Sequence, residues 1–316
     1  MGALNACLSA APHFGVLLSC PRCEEELDSL ECLACGFSLQ IGGDDIVRAL
    51  LPERAGHFSR FIRDYEFIRG AEGRHSDGDE FYLALPYRDT TGRNSAQWKI
   101  RARSFDCLIH DVLKPELACE ASILDIGAGN CWMSYRLALA GYRPVAVDLL
   151  VNANDGLAAA EHYRERLPRL FPRFQAEMDR LPFRKQQFDA IVFNASFHYS
   201  ENYEITLRAA LRCLRRNGML IICDTPWYSR EESGESMLSE RRAAFLSKYG
   251  TRSDSMTSRE YLTDERLHRL QEVLSIRWKV RSPYYGWRWA IRPLVAALRR
   301  RREPSRFRIY VAWKHA

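Results

Sequence analysis

The stretch Ile123-Leu-Asp-Ile-Gly-Ala-Gly-Asn130 constrains this chain most, because an apolar strand runs straight into a glycine turn with one acid just before it. Gly127 and Gly129, one residue apart, let the backbone turn tightly and approach a ligand that side chains would obstruct. A dinucleotide-binding turn continues to a third small residue three positions on, where helix and strand pack closely. Trp132 stands there and disfavours a pyrophosphate. A carboxylate at Asp125 points the same way, since it is unfavourable beside phosphates and suits an ammonium or sulfonium ligand.

Downstream segments supply the rest of an open α/β sheet. Pro144 to Leu149 reads as a second buried strand ending in Asp148, placed to take two ribose hydroxyls. Phe174 to Asp179 reads as a third, with Met178 against an adenine face and Asp179 accepting from its exocyclic amine. Phe188 to Ser196 is a fourth, and Met219 to Asp224, after Asn217-Gly218, a fifth. Strands alternating with helical stretches imply a parallel, doubly wound sheet. The candidate cofactor-binding residues are Asp125, Gly127, Ala128, Gly129, Asn130, Trp132, Asp148, Leu149, Met178, Asp179, Asn194 and Ala195.

Through Asp125, Gly127, Gly129, Asp148, Asp179 and Asn194 the chain resembles the class I S-adenosylmethionine-dependent methyltransferases of the small-molecule, "type 11" kind. The resemblance covers residues 119 to 316. It implies a Rossmann-like seven-stranded sheet with an antiparallel last strand, and S-adenosyl-L-methionine as cofactor. By the same resemblance Gly127 and Gly129 hold the methionyl part, Asp148 the ribose and Asp179 the adenine. The two last strands are expected at Ile276 to Val280 and Phe307 to Trp313.

Near the N-terminus, Cys20-Pro-Arg-Cys23 and Cys32-Leu-Ala-Cys35 form two C-x-x-C pairs, each able to bring two thiolates to one tetrahedral metal. Zinc is the expected metal, with rubredoxin-like iron as the alternative. So short a segment buries little core, and the metal must stabilise it. The stretch through Ile41 to Ile46 resembles the zinc ribbon that precedes some bacterial methyltransferase domains. Glu24, Glu25, Glu26, Asp28 and Glu31 make this ribbon a poor phosphate clamp. The remaining cysteines, Cys7, Cys107, Cys119, Cys131, Cys213 and Cys223, sit at unrelated spacings and read as small buried thiols. Leu17-Leu18-Ser19-Cys20 looks like a lipoprotein box. No basic residue precedes it and Pro12 interrupts the apolar run, so no export signal is expected. No apolar run is long enough to span a bilayer. The expectation is a cytoplasmic or membrane-peripheral protein.

The chain thus divides into a zinc-ribbon-like domain (1–50), a helical cap or linker (51–118) and a methyltransferase domain (119–316). Within the cap, Phe58, Phe61, Ile62, Tyr65 and Ile68 recur at helical spacing, and Trp98 to Val112 is a second candidate helix. Tyr65, Tyr82, Tyr87, Trp98 and Arg101 are candidates to line a lid, with an arginine on the methionyl carboxylate; simple packing on the sheet edge is the competing reading. An insertion at 225–262, with Met237, Arg241, Phe245, Tyr249 and Tyr261, is expected to shape the acceptor pocket. His198, after the fourth strand, is the leading catalytic base, with Asp224 and Tyr228 as alternatives.

Charge is uneven. From Arg277 onward there are twelve Lys and Arg against the single acid Glu303, a net +11, while the preceding chain, 34 basic against 39 acidic, carries −5. The insertion at 283–306 is basic and amphipathic, and residues 284–302 suit a membrane surface, RNA, or plain packing of a solvated helix on the domain. The reading is a methyltransferase acting on a small, partly apolar acceptor, lipid-like, isoprenoid or aromatic. An RNA methyltransferase and a non-catalytic cofactor-binding scaffold are the alternatives.

Overall fold

The computed structural model describes residues 15–314; Cys7 and the first fourteen residues of the expected ribbon domain lie outside them. The strands are β1 (Leu18–Ser19), β2 (Glu26–Leu27), β3 (Gln40–Ile41), β4 (Ile46–Arg48), β5 (Ser122–Ile126), β6 (Arg143–Asp148), β7 (Arg173–Gln175), β8 (Phe188–Asn194), β9 (Leu214–Cys223), β10 (Lys279–Arg281) and β11 (Ile309–Trp313). Nine of them form one sheet in the order β10-β11-β9-β8-β5-β6-β7-β4-β3. The run from β9 through β4 is parallel, whereas β11 is antiparallel to β9, β10 to β11 and β3 to β4. The expected Rossmann-like sheet, with its antiparallel last strand, is present.

Every residue of β5 is buried, as a central parallel strand covered on both faces requires. Side-chain alternation sends Leu124 and Ile126 into the apolar layer holding Ile191 and Phe193, and Ile123 into the opposite layer with Ala146 and Val192. β5 pairs with β6 on one side and β8 on the other, so the chain winds outward in both directions from this point. A crevice must open there at the carboxyl ends of the strands.

Two features depart from the sequence reading. The third strand stops at Gln175, leaving Ala176 to Asp179 as loop. The last strands of the ribbon segment, β3 and β4, join the large sheet, with Val47 opposite Phe174 in parallel register. The reason is apolar burial: Ile46 and Val47 are fully buried, one in each core layer, which a free-standing ribbon would not provide.

The helices are α1 (Pro52–Ala71), α2 (Asp79–Ala84), α3 (Ser95–Cys107), which runs through a π-helical turn (Leu108–Leu113) into α4 (Lys114–Glu116), α5 (Trp132–Leu139), α6 (Tyr203–Cys213), α7 (Glu231–Tyr249), α8 (Asp264–Leu274), α9 (Trp287–Ala290) and α10 (Arg292–Leu298). No helix among the described residues is long and apolar enough to cross a membrane.

Candidate active site and metal centre

The four ribbon cysteines converge. Their Sγ atoms lie within 4.8 Å of one another, with Cys20 to Cys35 and Cys23 to Cys32 each at 3.5 Å. Zinc bound at about 2.3 Å to four thiolates spaces the sulfurs about 3.8 Å apart. The donor set therefore fits, and the cluster can hold a structural zinc. Each knuckle closes on a left-handed residue, Glu24 (φ 62°) in the first and Gly36 (φ 70°) in the second. Their amides return to the carbonyls of Cys20 and Cys32 at 2.9 and 2.8 Å. The acids that make the ribbon unsuited to phosphate face arginines of the sheet domain. Arg184 meets Glu26 at 2.8 Å and Asp28 at 2.6 Å, and Arg22 of the first knuckle meets Glu53 of α1 at 2.9 Å.

At the carboxyl ends of the strands lies a chain of adjoining chambers, all bordered by Tyr65. The first has a volume of about 780 Å³ and receives Gly127, Gly129, Asp148, Leu149, Met178, Asp179 and Ala195 from the sheet. A second, of about 430 Å³, holds Asp125, Ala128, Asn130, Trp132 and Asn194 around the glycine turn. All twelve residues read from sequence as cofactor-binding thus line one or other of two neighbouring spaces.

The turn requires its glycines. Gly127 has φ +75°, and a Cβ there would lie 2.2 Å from the Ser196 Cβ. Asp148 accepts from the amides of Gly129 and Leu150 at 2.8 Å each, which ties the end of β6 to the turn. Asp125 accepts from Ser134 of α5 at 2.7 Å, and Asp179 from Thr206 of α6. Burial raises all three carboxyls, Asp125 to about 7 and Asp148 to about 6. Removing these acids from water favours their protonated forms, and a cation or hydroxyl donors in the chamber would restore the ionised ones.

The cap supplies the roof. Phe58, Phe61, Tyr65 and Arg69 project from one face of α1 into the chambers, and Trp98 and Arg101 reach the glycine turn from α3. Arg69 is committed to Asp155, with Nη2 donating to Oδ1 at 2.8 Å. Arg101 has no carboxylate within ion-pair range among the described residues, and burial lowers its pKa. Two lid candidates are corrected. Tyr82 is buried elsewhere, stacked on His162 at 3.9 Å, and Tyr87 is half exposed and donates to Asp106.

Beyond the glycine turn an outer chamber of about 870 Å³ is bounded by Arg74, Ile100, Arg101, His198, Tyr199, Asp224, Pro226 and Phe307. A side chamber of about 610 Å³ adds Arg241 and Phe245 from α7. His198 is half-buried, its Nδ1 is buried with no hydrogen-bond partner among the described residues, and desolvation lowers its pKa to about 4. Asp224 is 6% exposed, accepts from Ser104 through Oδ1, and leaves Oδ2 unpartnered; burial raises it to about 6. Tyr228, the third catalytic candidate, is corrected: it borders none of these chambers and packs edge-on to Tyr261 at 5.8 Å under Leu238. The insertion divides likewise, since Met237 and Tyr261 join that cluster while Arg241 and Phe245 face the side chamber.

Sequence reasoning missed Asp155, Glu177 and Tyr199. Asp155 and Glu177 sit in loops with no periodic pattern, and only their buried pairing with Arg69 and Arg54 of α1 marks them. Tyr199 borders three chambers and was legible only as part of the segment after β8.

Residues 124–222 match the family model described as a methyltransferase domain. Among solved structures, the YcgJ protein of Bacillus subtilis is 14% identical with a TM-score of 0.50, over 68% of this chain and 99% of that one. Phosphoethanolamine N-methyltransferase 2 of Haemonchus contortus, in complex with S-adenosyl-L-methionine, is 13% identical over 68% of this chain and 53% of its own, with a TM-score of 0.48. A SAM-dependent methyltransferase of Methanosarcina mazei is 17% identical over 66% and 97%, with a TM-score of 0.44. No curated protein matches the chain in sequence. The family match begins inside β5 and ends inside β9, spanning the carboxyl ends of β5, β6, β7 and β8. Residues 124–222 are therefore a methyltransferase domain of the S-adenosylmethionine-dependent kind, and the glycine turn and buried acids lie at the strand ends of that domain.

Proposed function

We propose that the chain methylates a small, partly apolar acceptor that loses a proton as it is methylated, and that the outer chamber receives it. The observation that carries this reading is the buried, unpartnered Asp224 Oδ2 in a chamber that adjoins the glycine turn and is walled by Ile100, Pro226 and Phe307. Ligand sites commonly combine apolar walls with a few convergent polar groups in volumes of about 300–1,000 Å³.

Within the cofactor site, Asp148 accepts the ribose hydroxyls, Asp179 and Met178 meet the adenine, and the backbone of Gly127, Ala128 and Gly129 passes close to the methionyl chain. Leu149, Asn130, Trp132, Asn194 and Ala195 shape the walls, and Asp125 sets a negative charge behind the turn. Arg101 holds the methionyl carboxylate from its place between the turn and the outer chamber. Bound there, S-adenosylmethionine supplies an electrophilic methyl group on a good leaving group. The protein's own contribution is to align the acceptor and exclude water. Asp224 takes the acceptor's proton, because a carboxyl near 6 is better matched to neutral pH than an imidazole near 4. His198 then serves as a wall of the chamber.

The chain divides functionally into the ribbon through residue 50, the cap at 51–118 and the catalytic domain from 119, with 225–262 shaping the acceptor space. A cytoplasmic protein that works at a membrane surface through residues 284–302 belongs to the same reading. Titration calorimetry of the zinc-loaded chain with S-adenosylmethionine and S-adenosylhomocysteine tests the foundation: one site per chain is expected, lost in Asp148→Ala. No heat with either ligand would overturn it.

A further inference from the structure

Between β10 and β11 the chain makes an excursion that carries α9 and α10 out of the sheet. Its root is fixed. Arg103 donates to the Tyr284 carbonyl at 2.8 Å, the Tyr285 hydroxyl lies 2.8 Å from Ser104 Oγ, Trp289 stacks on Phe307 at 5.7 Å, and Arg302 donates to Glu240 at 2.7 Å. Its outer surface is not covered. Trp287 is 62%, Leu294 64% and Leu298 77% exposed, with Tyr284 and Ile291 beside them. The helical spacing of the apolar residues fits packing on the domain, yet the structure turns them to solvent. Around them Arg288, Arg299, Arg300 and Arg301 have no carboxylate within ion-pair range among the described residues.

We infer that this excursion is an interfacial anchor that seats the outer chamber of the enzyme on an anionic lipid bilayer. Aliphatic side chains ringed by unpaired arginines match acyl chains below negatively charged headgroups, with the tryptophan at the boundary between them. RNA matches less well. It would take the arginines, but Ile291, Leu294 and Leu298 gain nothing from bases or phosphates, and Trp289 is already stacked within the protein. A second copy of this face would set like charges opposite one another. The root of the excursion is also the rim of the acceptor space, since Phe307 borders the outer chamber and Ser104, bonded to Tyr285, is bonded in turn to Asp224. An acceptor dissolved in the bilayer would thus enter beside the anchor, a consequence that rests on the acceptor reading above.

Flotation of the full, zinc-loaded chain with vesicles of phosphatidylcholine alone, or mixed in equal parts with phosphatidylglycerol, tests the anchor. Partition onto the anionic vesicles is expected to exceed that onto neutral ones at least tenfold, and to fall about fivefold for each of Arg299, Arg300 and Arg301 changed to Gln. The variant Trp287→Ser/Leu294→Ser/Leu298→Ser is expected to lose at least about tenfold as well. Both variants should bind S-adenosylhomocysteine with wild-type affinity, which shows that they fold. The inference fails if wild-type chain stays unbound with anionic vesicles, or if the apolar variant floats as well as wild type. It fails equally if single-stranded RNA is bound through the arginines while vesicles are not. Cofactor binding without flotation would overturn the anchor alone; flotation without cofactor binding would support the anchor and overturn the methyltransferase reading.

Discussion

The cofactor chambers and the outer chamber lie side by side on one sheet, yet they treat their polar groups in opposite ways. Around the glycine turn, Asp125, Asp148 and Asp179 each hold hydrogen bonds from the protein, and Glu177 and Asp155 are closed by arginines of α1. In the outer chamber His198 Nδ1 and Asp224 Oδ2 have no partner among the described residues. Leaving a buried polar atom unpaired is unfavourable by about 1–3 kcal/mol. A protein tolerates this most readily where another molecule completes the set. The first region satisfies its polar groups within the protein, and the second leaves polar atoms open to a ligand.

Breaking the second region alone gives the largest expected effect. Asp224→Asn keeps the volume and an oxygen for Ser104 but removes the base, so kcat should fall by about 10²- to 10⁴-fold. Affinity for the cofactor should stay as in wild type. His198→Gln should change kcat by no more than about threefold, since an imidazole near 4 contributes little as a base at neutral pH. Steady-state kinetics with any accepted substrate, paired with calorimetry, checks both. A large loss in His198→Gln with none in Asp224→Asn would reverse their roles.

Gly127→Ala attacks the first region. A methyl group there meets Ser196 Cβ at 2.2 Å on backbone held at φ +75°. Left-handed backbone and overpacking together are unfavourable by about 2–5 kcal/mol. Cofactor affinity should weaken by at least about thirtyfold, since displacing the turn is the easiest relief. Any affinity within threefold of wild type would mean that the turn does not shape the site.

The same contrast explains what the sequence disclosed. Asp125, Gly127, Asp148 and Asp179 were legible because each falls at or beyond the end of an apolar run, where a continuously buried strand gives way to a loop that must face the crevice. Tyr228 was misplaced because Pro226-Trp227-Tyr228 follows β9 closely, and nothing in the spacing shows that Trp227 bridges to Leu262 and Arg306 and takes its neighbour into another cluster. Tyr82 and Tyr87 were misjudged for a related reason: an aromatic residue in sequence does not show which surface its ring meets. The union of β3 and β4 with the large sheet was hidden because parallel pairing of Val47 with Phe174 joins segments more than a hundred residues apart. The ribbon's metal site, by contrast, needed only local spacing.

The smallest expected effect is a graded one, and it separates the two regions by titration. In the free enzyme, burial raises Asp125 to about 7 and Asp148 to about 6, above the ordinary carboxylate value of 3.8. Raised carboxyls make the folded chain hold more protons than the unfolded one between about pH 4 and 7, so their contribution to stability is fullest in acid and is lost as pH rises through the folded values. A ligand that donates ribose hydroxyls to Asp148 and sets a positive charge before Asp125 binds the ionised forms. Affinity should therefore be constant above about pH 8, decline towards about tenfold per pH unit as Asp125 takes up a proton below 7, and steepen towards about hundredfold per unit well below 6 as Asp148 follows. Calorimetry in buffers of different ionisation heat should show proton release on binding at pH 6 and almost none at pH 8. Asp148→Asn should bind more weakly and remove the lower limb of the profile, whereas Asp224→Asn should leave the profile unchanged even though burial raises Asp224 to about 6 as well. A profile altered by Asp224→Asn would mean that the two regions share one proton inventory and that the separation between them is not electrostatic.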